Sequence, residues 1–199
     1  RVRWTQKPCY SGGTVASLAT PSGEQYLAAA FGSTLNVVSV TDGHVIGAFD
    51  VPLDDPVLHL DAVAADASVL TARQKGEEVD DDDDEVVVPP TAFIGFSTHG
   101  LQVYVLALTI DETHERAKGT FSVVKTWTAS QHAVGCLKFS NKGTHLASGA
   151  TDGGLKMWDV HHHHLSHNYK GQGGVVTAIA FSEGNKLFAA GTFQGYVSL

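Results

Sequence analysis

Cysteine is scarce in this chain of 199 residues, with only Cys9 and Cys136, far apart and forming no CxxC pair. One bridge between them satisfies the arithmetic, but nothing else in the sequence suggests a secreted, disulfide-stapled framework. Long apolar runs are missing as well. None approaches the roughly 20 residues that span a bilayer, and Arg1-Val2-Arg3-Trp4 is no apolar core of a secretory signal. These absences read as a soluble intracellular protein without a membrane segment. Basic residues are few, 13 Lys and Arg against 21 Asp and Glu. Eight of the acids (Glu77, Glu78, Asp80, Asp81, Asp82, Asp83, Asp84 and Glu85) crowd into a stretch of nine. Taking those 8 from 21 leaves 13 acids against 13 bases, a neutral body. Such a body has no general basic field for gripping phosphates, which argues against nucleic-acid binding through bulk charge.

What is present is ordinary globular material: 43% hydrophobic and 17% charged residues, enough for a core. The 21 glycines suit a fold with many tight turns.

Internal repetition organises that material. Phe181-Ser182 lies 42 residues beyond Phe139-Ser140, and the same shift carries Ala147 onto Ala189, Gly149 onto Gly191 and Gly153 onto Gly195. It also maps apolar Leu146 onto apolar Phe188. A period of about 40–45 residues is that of a four-stranded propeller blade. One blade reads directly. Val134 to Phe139 alternates as an innermost strand, Asn141-Lys142-Gly143 is turn chemistry, and Leu146 to Ala150 is a second strand of small residues. Thr151-Asp152-Gly153-Gly154 is a hairpin turn, Leu155 to Val160 is the strand ending in Trp158-Asp159, and an outer strand is expected near Leu165 to Lys170.

Weaker copies precede it. Tyr26 to Val40 ends in Leu35-Asn-Val-Val-Ser-Val40, followed by Thr41-Asp42-Gly43 and an outer strand at Val45 to Phe49. The next copy begins at Val57 to Val63 and resumes at Ala92 to Phe96. It turns at Thr98-His99-Gly100, continues through Leu101 to Leu106 and closes at Val123 to Thr128. The expected blades are therefore 14–50, 57–128, 132–170 and 174–199, with an acidic loop insertion at 73–90 inside the second. Trp158 plus one period falls one residue past Leu199, so the last blade is expected to be incomplete and the sequence to be a fragment of a longer chain. Opening residues around Trp4 are candidates for an outer strand sealing the ring, a device that limits exposed sheet edges.

With Trp158-Asp159, the Asp-Gly turn and the 42-residue period, the chain resembles the WD-repeat proteins. A narrower resemblance lies in Gly149-Ala-Thr-Asp-Gly-Gly-Leu-Lys-Met-Trp-Asp-Val160 and in His167-Asn-Tyr-Lys-Gly-Gln-Gly-Gly-Val-Val176. These segments are similar to the transducin-beta-like subunits of the UTP-B complex, as are Lys7-Pro-Cys-Tyr-Ser-Gly-Gly13 and Leu35 to Phe49. That resemblance implies tandem propellers and a C-terminal helical region in the whole protein. It also implies nucleolar residence in the small-subunit processome, with UTP-B subunits and processome proteins as partners and association with the U3 snoRNP and pre-ribosomal RNA. No cofactor, small-molecule substrate or catalysis is implied.

Departures from the pattern are visible. Gly171-Gln172 stands for the usual Gly-His, Ser130 holds the His position of the preceding blade with His132 two residues on, Gln194-Gly195 replaces Asp-Gly, and Val38-Ser39 replaces Trp-Asp. Ser148, Asp152 and Trp158 retain most of the structural hydrogen-bonding set, and the resemblance implies that they brace their blade.

Sharper chemistry is weighed against this. Ser148, Asp152 and a nearby His suggest a hydrolase triad, but no Gly-x-Ser-x-Gly elbow accompanies them, and buried polar groups satisfying one another is the simpler reading. His161 to His164 with His167 carry metal-binding imidazoles. Neighbours on a strand point to opposite faces, however, so a solvated turn is expected there. The acidic run lacks the spaced ligands of a calcium loop and reads as a self-repelling surface insertion or a contact for a basic partner. Presentation of partners by a rigid scaffold is the function expected, with an adaptor of a ubiquitin ligase or signalling assembly as the alternative.

Overall fold

Alternating apolar and polar residues between turn signals make strands, and a computed structural model is built almost wholly of them. It describes residues 14–20, 22–65, 91–113, 116–171 and 173–199. The first sheet comprises β1 (Val15–Ala19), β2 (Gln25–Phe31), β3 (Thr34–Ser39) and β4 (Val45–Asp50). The second comprises β5 (Val57–Ala64), β6 (Ala92–Thr98), β7 (Gln102–Asp111) and β8 (Lys118–Thr128). The third comprises β9 (Val134–Phe139), β10 (His145–Ala150), β11 (Leu155–Asp159) and β12 (His164–Tyr169). The fourth has β13 (Val176–Phe181), β14 (Phe188–Thr192) and the short β15 (Val197–Ser198). Every pairing is antiparallel, and within each sheet the strands follow chain order.

The first strands of successive sheets lie side by side, β1 against β5, β5 against β9 and β9 against β13. The sheets therefore stack face to face in sequence, the blade arrangement of a β-propeller. Each interior sheet buries both faces. On β6 the alternation sends Ile94 and Phe96 toward the first sheet, where they meet Ala28, Leu35 and Val37. Phe93 turns the other way and joins Val103, Val105, Phe139, Leu146 and Trp158. A smaller cluster of Leu155, Val176 and Ala190 fills the third interface. Burying each large apolar side chain contributes roughly 1.5–3 kcal/mol, so these three layers dominate the stability.

Near the first strands the sheets approach too closely for bulk. A Cβ on Gly149 would lie 2.5 Å from Cγ1 of Val176 and 2.8 Å from Sγ of Cys136, so the small residue is dictated by the next sheet. At the Asp-Gly turn Gly153 adopts a φ of 82°, open to glycine at no steric cost.

Polar bridges also tie the layers, one of them buried and the others nearer the surface. On β5 the buried Asp61 carboxylate accepts the Phe139 N–H at 2.7 Å and the Lys138 ammonium at 2.8 Å, both from β9. Between the third and fourth sheets, Asn141 N–H donates to Asn185 Oδ1 at 2.9 Å. Its Nδ2 donates to the carbonyls of Ser182 and Glu183, each at 3.0 Å.

The β7–β8 hairpin is longer than the sequence pattern suggests. Pairing runs out to Asp111 opposite Lys118, well beyond Leu106 and Val123. Leu108 is fully buried, and Ile110 and Phe121 pack against the same cluster, with Phe121 6.2 Å from Phe49. The extension is held by contacts to the first sheet that local alternation does not reveal. Trp4, Cys9 and the acidic insertion at 73–90 lie outside the described residues.

Asp61 and Lys138 separate experimentally. Asp61→Ala leaves the buried Phe139 N–H without its acceptor and is expected to cost roughly 1–3 kcal/mol in urea denaturation. Lys138, half exposed, is expected to cost under about 1 kcal/mol as Lys138→Ala. Equal losses for the two would show that the ion pair, not the backbone bond, carries the bridge.

Candidate functional site

The third sheet carries the most polar chemistry, and its centre is Trp158. Between Met157 and Trp158 the ladder from β11 to β12 slips by one residue. The same slip recurs in the first sheet at Val37/Val38 and in the second at Val105/Leu106. Such bulges sharpen the local twist and re-aim the side chains around them. The Trp158 indole is buried against the second sheet, stacked on Trp127 with centroids 5.0 Å apart. Its Nε1–H donates to Ser148 Oγ at 3.0 Å, which satisfies a donor that burial would otherwise strand.

Asp152 does not join that pair. Its carboxylate accepts the Gly154 N–H at 2.9 Å, an Asx turn that holds it at the hairpin tip, and faces His132 Nδ1 at 3.2 Å. Turn chemistry outcompetes the buried set because a carboxylate keeps its hydration there. Of Ser148, Asp152 and Trp158, the fold thus brings two together in the interior and sets the third at the surface. Among the described residues no hydrogen bond links Ser148 to His132 or Asp152, so the arrangement has no proton relay from the hydroxyl.

Around these groups opens a cleft of about 590 Å³, lined by residues of the second and third sheets and the segment between them. Ser148 lies in its wall, Ser130, His132 and Asp152 line it, and Lys156 and Lys170 supply its cations. Lys156 is held in place: its ammonium donates to the Ala129 carbonyl and stands 5.5 Å from the Trp158 ring centroid. Pattern reasoning passed over both lysines and the His132–Asp152 contact. Lys156 was accessible to it, being two residues before Trp158 and so on the same strand face. The contact between residues 132 and 152 was not, since it depends on how the loops meet.

The histidine run forms the turn after β11. Asp159 accepts the His162 N–H at 2.8 Å and lies 3.0 Å from the His162 ring, while His163 takes a positive φ of 57°. Burial raises the Asp159 carboxyl, but the His162 hydrogen bonds and the nearby imidazoles outweigh it and hold the group below its ordinary value. Among the described residues no three His, Cys, Asp or Glu side chains are grouped to hold a metal ion. A second cleft, of about 370 Å³, lies between the first and second sheets and includes Glu24, Asp42 and Glu112. Tyr26 there donates to Glu112 at 3.1 Å, and burial with that bond pushes its phenol up to about 12.

Comparison with known proteins agrees with this architecture. The family model described as WD domain, G-beta repeat matches residues 121–159. The match begins within β8 and ends with β11, so one sequence repeat joins the outer strand of the second sheet to three strands of the third. Transducin beta-like protein 3 of Homo sapiens is 38% identical over 61 residues, 30% of this chain and 8% of that protein. Its counterparts in Rattus norvegicus and Mus musculus are 36% identical over the same length. The match thus spans 8% of the length of these relatives. Among solved structures, the beta-propeller domain of Cps50 (Swd1) from Myceliophteria thermophila superposes with a TM-score of 0.54. That pair shares 13% identity across 89% of this chain and 48% of the other, a likeness of fold alone.

Two outcomes follow from the buried chemistry. Trp158→Phe and Ser148→Ala each remove the indole bond, and each is expected to lower stability by roughly 1–3 kcal/mol in denaturant titration. Trp158→Phe alone should also abolish the far-ultraviolet exciton couplet expected of the Trp127–Trp158 stack in circular dichroism. Cys136 tests the third interface: burial pushes its thiol up to about 11, against a Gly149 backbone bond that pulls it down. In a Cys9→Ser background at pH 8, maleimide should label the native protein roughly a hundredfold more slowly than the unfolded chain. Comparable rates would mean that the third and fourth sheets do not stay closed.

Proposed function

We propose that the chain is part of a non-catalytic scaffold of the small-subunit processome, acting in the nucleolus in the maturation of 18S ribosomal RNA. The observation that carries this reading is the identity to transducin beta-like protein 3, together with the likeness of residues 149–176 to transducin-beta-like subunits of UTP-B. Physical features favour a scaffold. Stacked sheets with both faces buried form a stiff support, and the connecting loops are the parts left free to meet other proteins. In this role the chain holds UTP-B subunits and other processome proteins around nascent pre-ribosomal RNA. Its contact with the U3 snoRNP and that RNA runs through those partners, in keeping with a body whose charge outside the acidic run is balanced.

The test is affinity purification of the tagged full-length protein, with sequencing of bound RNA and mass spectrometry of bound proteins. Enrichment of U3 RNA, pre-ribosomal RNA and UTP-B subunits is the expected result. Ubiquitin-ligase or signalling partners without those RNAs would replace the processome reading with that of an adaptor, leaving the fold untouched.

A further inference from the structure

We propose that the cleft between the second and third sheets is a docking site for an acidic peptide segment, which it holds by a carboxylate side chain. This deepens the scaffold reading by naming the chemistry of one partner, and it rests on that reading only for its biological setting.

The lining is rich in donors. Lys156 and Lys170 bring two ammonium groups, and Ser130, Gln131 and Asn168 add neutral donors. Ser148 is buried to within 4% of its surface, and its oxygen already accepts the Trp158 indole. Among the described residues its own proton has no acceptor, so the hydroxyl is a donor in the cleft wall without a partner. The one acid in the lining, Asp152, is engaged by the Gly154 N–H and by His132. Ser130, Gln131 and Asn168 can donate or accept, so the bias toward an anion comes from the two ammonium groups, set against a single carboxylate that is already engaged, and from the unpartnered Ser148 hydroxyl.

The site is also preorganised. Lys156 spends one of its three donors on the Ala129 carbonyl and rests over the Trp158 ring, so its position is set before any ligand arrives. Fixing a long, rotamer-rich side chain in advance removes much of the ordering cost of binding. At about 590 Å³ the cleft lies within the range of roughly 300–1,000 Å³ usual for ligand sites, ample for one or two side chains of an extended peptide.

A peptide carboxylate suits these walls better than a nucleic-acid backbone. The cleft has two lysines, no arginine and no Phe, Tyr or Trp in its lining on which a base could stack, and its one ring, His132, is turned to Asp152.

The experiment is fluorescence anisotropy of the purified chain with a labelled oligo-glutamate peptide, an oligo-glutamine peptide of equal length and an oligo-uridylate. Saturable binding of the glutamate peptide that weakens with salt is expected, with the glutamine peptide at least tenfold weaker. Lys170→Glu, an exposed change that leaves the melting temperature unaltered, should reduce affinity at least tenfold. Lys156→Met should do the same, and if it also lowers the melting temperature, Lys170→Glu alone decides. Equal binding of the two peptides, or an unchanged affinity in Lys170→Glu, overturns the proposal. Displacement of the peptide by oligo-uridylate at equal or lower concentration also overturns it and assigns the cleft to RNA phosphate. Because the assay uses the purified chain, it can fail while U3 enrichment succeeds, or succeed while that enrichment fails.

Discussion

Close approach of neighbouring sheets at their first strands is the constraint on which the other features rest. Where β9 and β10 face β13 there is no room for a side chain on Gly149, because Val176 and Cys136 already occupy the space. Gly135 is under the same limit, a Cβ there falling 2.7 Å from the Val176 carbonyl. Large side chains fill the interfaces between such points, Phe96 and Phe121 at the first and Trp127 and Trp158 at the second, and a further close approach lies at the outer strands, where a Cβ on Gly47 would fall 2.8 Å from the Gly119 carbonyl. Small residues stand where backbones of neighbouring sheets meet, as dense interior packing requires.

That geometry leaves backbone groups at the crossing points beyond the reach of their own ladders. Asp61 supplies the missing acceptor for Phe139, and Asn141 spends three hydrogen bonds across to the fourth sheet. These bridges are polar and directional, whereas the apolar layers only require that volumes match. Burial supplies the larger share of the stability, and the bridges set how one sheet is registered against the next.

The same layering carries order from the interior to the surface. Trp158 is anchored by Trp127 and Ser148, and Lys156 lies two residues earlier on the same face of β11. Whatever positions the indole therefore positions the ammonium in the cleft. A scaffold needs such linkage, since a recognition group on a loose rim would lose affinity to the entropy of ordering it.

Much of this was legible in the linear sequence. The 42-residue period, the Asp-Gly turn at 152–153 and the alternation in Val134 to Phe139 state the strand pattern of the third sheet, because side-chain period and turn chemistry are local properties of the chain. The likeness of Phe139-Ser140 to Phe181-Ser182 carries the same pattern into the fourth. Other features were decided only when the sheets came together. Asp152 prefers its own turn and His132 to the buried pair of Ser148 and Trp158, and β7 and β8 extend because Leu108 and Phe121 find cover on the first sheet. Asp61 meets a partner 78 positions away, and Lys156 finds the Ala129 carbonyl 27 positions away. Local sequence dictates which face of a strand a side chain takes. What that face then meets depends on the distance and rotation between sheets, which only the packed structure determines.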